Sequence, residues 1–174
     1  MNTLKSLLDT FRTHTLGFTL DEVMSGSMEY MAGAGSPGKQ PFDFTVQWGP
    51  DSLTAWLNPR DDGFLTQEMT GTITAGDLAE AAPCRGTLEL RYFRDRSIRY
   101  SFTFTANGIE YRYLGEKVNI RWWNLPFSHT TCFGVITESE TNRLVARTVS
   151  YFRLRTMPWF LTSFRLRRKH IIPT

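Results

Sequence analysis

Cysteine and histidine are scarce in this 174-residue chain: two cysteines, Cys84 and Cys132, and three histidines, His14, His129 and His170. The cysteines lie far apart and form no C-x-x-C pair, and no two histidines have metal-ligand spacing, so neither a disulfide framework nor a zinc site is indicated and no metal is implied. Two reduced thiols suit a cytoplasmic setting. Long apolar runs are missing too, since none approaches the roughly 18 residues that a membrane-spanning helix needs. The opening MNTLKSLLDTF contains Asp9 and mixes polar with apolar residues, so it lacks the continuous apolar core and the cleavage site of a secretory signal. The expectation is an unprocessed cytoplasmic protein. Acidic residues stop at Glu140, after which Arg143, Arg147, Arg153, Arg155, Arg165, Arg167, Arg168 and Lys169 supply eight positive charges. With 20 Lys plus Arg against 17 Asp plus Glu in the whole chain, the first 140 residues keep 12 positive against 17 negative charges, a net −5. A basic tail on an acidic body hints at an anionic partner or surface.

What the chain has in abundance is aromatic side chains, with 13 Phe, 6 Tyr and 5 Trp. Its length suits a single domain over residues 1–174, which buries roughly 70% of the surface of the unfolded chain. Behind Thr3, a candidate N-cap, Leu4, Leu7, Leu8 and Phe11 recur at helical spacing and predict a short amphipathic helix over 3–13. Period two then takes over. In PFDFTVQW, Phe42, Phe44, Val46 and Trp48 share one face and Asp43, Thr45 and Gln47 the other, the pattern of a half-buried strand. Gly49, Pro50 and Asp51 supply turn chemistry before a further run, SLTAWL, which ends at Asn58-Pro59. The clearest unit is RSIRYSFTFTANGIEYRYLGEK: Ile98, Tyr100, Phe102 and Phe104 alternate with polar residues, Asn107-Gly108 supplies the positive φ angles of a type I′ turn, and Ile109, Tyr111 and Tyr113 resume the pattern. That predicts a β-hairpin. Further strands are expected at 17–30, 63–75, 85–93, 117–123, 129–138 and 143–154.

About nine strands in succession, with no helical crossover between them, cannot make a parallel sheet; they suit an antiparallel up-and-down β-barrel or a strongly curled sheet. A barrel of about eight strands is just wide enough to be filled by side chains or to hold one small ligand. The aromatic residues fit either outcome, because apolar pockets are lined much as cores are. The candidate ligand-binding residues are Tyr100, Phe102, Phe104, Trp48 and Trp122 for apolar contact, with Arg99 and Arg112 as orienting polar groups.

Several motifs lack the context their chemistry needs. Gly33, Gly35 and Gly38 spell G-x-G-x-x-G, but Pro37 interrupts them and Pro41 and a period-two strand follow instead of a helix, so no dinucleotide cofactor is expected. His129 and Cys132 are three apart, which places them on opposite faces of a strand and out of reach for a thiol–imidazole dyad. Tyr111, Tyr113 and Glu116 are the candidate catalytic residues, because a phenol or carboxylate inside a dry barrel has a shifted pKa and can serve as an acid or base. The same stretch also reads as a surface ion pair of Glu110 with Arg112 and a solvated turn at Glu116-Lys117. The C-terminal segment 156–174 has two readings. In one, Pro158 opens an interfacial amphipathic helix carrying Met157, Phe160, Leu161 and Phe164, and Arg165, Arg167, Arg168 and Lys169 meet an anionic membrane. In the other it is a final strand or helix packed on the barrel with a solvated basic tail. Nucleic acid is not expected, since no binding-module signature accompanies the terminal charges.

The opening FTLDEVMSGSM, the run Tyr100 to Phe104, the segment GIEYRYLGEK at 108–117 and the Thr130-Thr131 pair after Trp122 and Trp123 resemble a calycin-like, that is lipocalin-like, β-barrel domain. Such domains accompany cholesterol-oxidase-like flavoprotein oxidoreductases and some lipid-acting enzymes. The resemblance spans most of residues 18–155, although the lipocalin G-x-W is missing at Gly17 and Gly26. It implies a lipocalin-like barrel in a lipid or sterol context without oxidase chemistry, because those enzymes keep their flavin in a separate domain. The expected function is binding of a fatty, isoprenoid or sterol-like molecule as a carrier or accessory protein. A cofactor-free isomerase or cyclase acting in the same cavity and a peripheral membrane adaptor are the alternatives.

Overall fold

The computed structural model describes residues 14–118, 131–152 and 165–170, with side chains for 16–118 and 131–152. The expected helix over 3–13, Trp122, His129 and residues 156–164 lie outside this set. Nine strands follow in chain order: β1 (His14–Tyr30), β2 (Lys39–Trp48), β3 (Thr66–Ala75), β4 (Ala79–Arg91), β5 (Ser97–Ala106), β6 (Ile109–Lys117), β7 (Thr131–Glu138), β8 (Leu144–Phe152) and β9 (Arg165–His170). Each of β2 to β8 pairs antiparallel with the next, and β1 pairs with both β8 and β2, which closes an eight-strand barrel. The strand β9 lies outside that ring and pairs with the first residues of β1, from His14↔His170 to Thr19↔Arg165. Residues 165–170 are strand.

Paired residues traced around the wall run from Leu20 through Trp48, Met69, Gly86, Phe102, Tyr113, Ile136 and Ala146 and return to β1 at Tyr30, ten residues past the start. Closure with such a stagger tilts the strands by roughly 35–45°. The predicted hairpin is present: Asn107 and Gly108 have φ of 51° and 77°, and Phe104↔Tyr111 and Phe102↔Tyr113 face each other across β5 and β6. Two local expectations change. SLTAWL forms one helical turn, α1 (Leu53–Trp56), because Ser52 caps it, its Oγ accepting from the Ala55 N–H at 3.4 Å. The strand expected at 85–93 begins earlier, at Ala79. Its first residues, including Pro83, pair with β3 alone, since pairing with β5 starts at Cys84↔Phe104. A strand segment with one free edge tolerates proline.

Period two carries through to packing. Phe42, Phe44, Val46, Met69, Ile73, Tyr100, Phe102, Phe104, Tyr113 and Ile136 are buried and point inward. Phe44 and Phe102 lie 5.5 Å apart between ring centroids and Phe102 and Tyr113 4.7 Å, so the middle of the interior is filled by side chains. Outward positions such as Asp43, Arg85, Arg99 and Arg112 are charged, while Leu114, Phe133 and Tyr151 on β6, β7 and β8 are exposed apolar residues of the same outer surface. Among the described residues no helix is long and apolar enough to cross a membrane.

Candidate functional site

The two ends of the barrel differ. One end carries only short connections: 31–38, 76–78, 107–108 and 139–143. It is stopped by Tyr30, whose hydroxyl donates to Asp77, and by the 31–38 loop, where Ser36 donates to Asp77 at 2.7 Å and Gly35 lies against the Tyr30 ring. A side chain at Gly35 would strike that ring. Gly33, Gly35 and Gly38 therefore belong to a strand-to-strand connection, with positive φ at Gly33 and Gly38, and have no helix to offer a phosphate.

The opposite end gathers the longer connections, 49–65, 118–130 and 153–164, together with the 92–96 turn. Here the apolar lining gives way to a buried polar cluster. Glu22 on β1 and Lys117 at the end of β6 face inward and are 5% and 3% exposed. Lys117 Nζ donates to Glu22 Oε1 at 2.7 Å, the Tyr100 hydroxyl donates to the same oxygen at 2.8 Å, and Trp48 Nε1 donates to Oε2 at 3.3 Å. Burial on its own raises the Glu22 carboxyl, but the Lys117 ammonium and the three hydrogen bonds outweigh it and hold the pKa below the usual 4.5. Lys117 also stands over the rings of Tyr100 and Phe152, at 5.1 and 5.6 Å from their centroids. Around this cluster the inward residues Trp48, Leu90, Ile98 and Phe152 are only half-buried. Phe18 meets Trp48 edge-on at 5.8 Å and Trp56 of α1 at 5.9 Å, which ties the 49–65 connection to the same end.

The structure sorts the candidates named from sequence. Tyr100 and Trp48 belong to the polar cluster, and Phe102 and Phe104 lie deeper in the filled core. Arg99 and Arg112 extend from the outer face, because they hold the opposite parity to Tyr100 and Tyr113; Arg99 pairs with Glu116 at 2.7 Å. Glu116 thus sits on the outside of the wall while Tyr111 and Tyr113 point in, and the three do not converge. Burial, then the nearby Cys132, push the Tyr113 hydroxyl well above its ordinary pKa. Burial, then Glu22, do the same for Tyr100. Tyr113 lies flat on the wall against Gly115 and Gly134, its hydroxyl 3.6 Å from Cys132 Sγ. Cys84 and Cys132 are free, buried and pushed up by burial to about 11, so both are thiols rather than nucleophilic thiolates at neutral pH.

The sequence pattern places Lys117 in a solvated turn and offers no motif around Glu22, whereas in the structure both are buried. Both carry a legible signal. Glu22 falls in frame with Leu20, Met24 and Met28, and Lys117 in frame with Tyr111 and Tyr113, so each is a charge on the apolar parity of its strand. The chain matches no family model, no curated protein and no solved structure.

Proposed function

We propose that the protein binds an apolar small molecule of fatty, isoprenoid or sterol-like character at the Trp48 end of the barrel, as a carrier or accessory protein. The observation that carries this reading is the asymmetry of the interior. One end is packed shut by aromatic rings and the 31–38 loop, whereas the other combines half-buried inward apolar side chains with a few converging polar groups. Apolar lining with sparse, placed polar groups is the composition of a small-molecule site. Each methylene taken from water there contributes about 0.8 kcal/mol. The resemblance to calycin-like domains adds a lipid or sterol setting. Native mass spectrometry of the purified protein and titration with Nile red test the proposal. A co-purifying lipid or saturable binding that weakens in Trp48→Ala is expected; no lipid and no saturable binding overturns it.

The isomerase or cyclase alternative has less behind it, because Glu116 stands apart from Tyr111 and Tyr113. The membrane reading gains one observation. At the same end, Phe93 is 78% exposed and stacks on Phe64 at 6.2 Å, beside the exposed Arg94 and Arg96. A protruding aromatic flanked by arginines suits brief contact with an anionic bilayer from which an apolar ligand is collected. Co-sedimentation with phosphatidylglycerol vesicles should fall in Phe93→Ser, and equal partition of both proteins refutes this second reading.

A further inference from the structure

We infer that the Glu22–Lys117 pair makes this a site for apolar ligands with a neutral polar head, a hydroxyl or a carbonyl, and that it discriminates against carboxylates. The inference rests on the binding reading above and concerns which chemical class that site takes.

An ammonium has three N–H donors, and Glu22 Oε1 takes one from Lys117 at 2.7 Å. The donors of Tyr100 and Trp48 are already given to Glu22. Among the described residues, the other two N–H groups of this lysine, which is 3% exposed, take no conventional acceptor and have only the Tyr100 and Phe152 rings nearby, at 5.1 and 5.6 Å. The ammonium lies 5.6 Å from the centroid of the half-buried Phe152 ring, at the end of the barrel where Trp48, Leu90 and Ile98 are also half-buried. A buried donor without a partner is costly, so the site favours a ligand atom that accepts there. Glu22 Oε2, which holds one long bond from Trp48 at 3.3 Å, keeps a lone pair able to accept from a ligand hydroxyl or amide N–H.

Charge decides between heads. Glu22 already neutralises Lys117, so the pair presents no net charge. A ligand carboxylate accepting from Lys117 would bring a second anion close to Glu22 in a poorly hydrated place, and it would lose its own hydration on entry. A hydroxyl or carbonyl takes the same hydrogen bonds without either cost. Had the site evolved around a free fatty acid, an unpaired cation would be the expected arrangement, and here the cation is paired from within the wall.

The experiment compares three ligands of equal chain length, dodecanol, dodecanamide and dodecanoate, each titrated into the full chain at neutral pH by calorimetry. The alcohol and the amide should bind and dodecanoate should bind about tenfold more weakly or worse. Dodecanoate binding as tightly as the alcohol overturns the inference while leaving the binding function standing, and absence of binding by all three overturns the inference together with the fatty-chain form of the binding reading. The variant Glu22→Gln provides the second arm. With its internal counter-ion gone, Lys117 should prefer dodecanoate, so the order of affinities should reverse. A folded Glu22→Gln protein that keeps the wild-type order refutes the proposal, and should that variant fail to fold, the wild-type comparison decides.

Discussion

At the scale of single residues, the interior couples stability to charge through one pair. Deleting one partner of a buried ion pair leaves an uncompensated charge, so Lys117→Met should destabilise the protein by about 3–5 kcal/mol in urea denaturation. The double variant Glu22→Leu with Lys117→Met removes both charges and should recover much of that loss, giving a strong non-additive coupling. The pH dependence has a definite sign. The Glu22 carboxyl is held below its ordinary 4.5, so its contribution is present above that value and is lost as pH falls through the lower folded value. Wild-type stability should therefore decline from about pH 4.5 downward, with a shallower decline when both charges are removed. A second residue-scale constraint is steric. A Cβ at Gly134 would stand 2.6 Å from the Tyr113 ring, so Gly134→Ala should cost about 1–3 kcal/mol by thermal denaturation. At Gly115 the clash falls first on the Tyr113 hydroxyl, and Tyr113→Phe should relieve Gly115→Ala in part. Glu22 and Lys117 are 95 positions apart, and no local pattern joins them; their parity marks each as inward, but only the closed register brings them into contact.

Among the elements, those made by short-range alternation are the ones a reader of the sequence finds. The strands β2, β5 and β6 alternate cleanly, and the Asn107-Gly108 turn has a single favourable reading. The start of β4 was hidden because Ala79 to Cys84 contains alanines and Pro83 in place of β-branched residues, and pairing with β3 overrides that weak propensity. The turn α1 was hidden because four helical residues present no periodicity, and one capping hydroxyl is a slight signal. The strand β9 has a testable role. It covers the first residues of β1, which otherwise present an unpaired edge, whereas β1 residues 20–30 close the ring with β2 and β8. Truncation after Phe152 should leave the far-ultraviolet β signal largely intact and raise concentration-dependent aggregation, read by size-exclusion chromatography.

For the whole molecule, closure is the defining event. Pairing β1 with β8 joins Met24 to Phe152 and so must bring together distant parts of the chain before the interior is dry. Such topology slows folding, and refolding followed by tryptophan fluorescence in stopped flow should take milliseconds to seconds, not microseconds. The barrel class was readable from the count of strands and the lack of crossovers; whether the interior was full or empty was not, because aromatic residues serve both. The structure divides the answer along the axis: the middle and the Tyr30 end are filled, and at the Trp48 end the inward Trp48, Leu90, Ile98 and Phe152 are half-buried. On the proposed reading, with the Tyr30 end closed, a ligand has one route in and out. A guest bound at the Trp48 end would leave past the same Trp48 and Phe152 rings it entered by, so altering those rings would change uptake and release rates in the same direction, shortening residence time as uptake quickens and leaving affinity little changed.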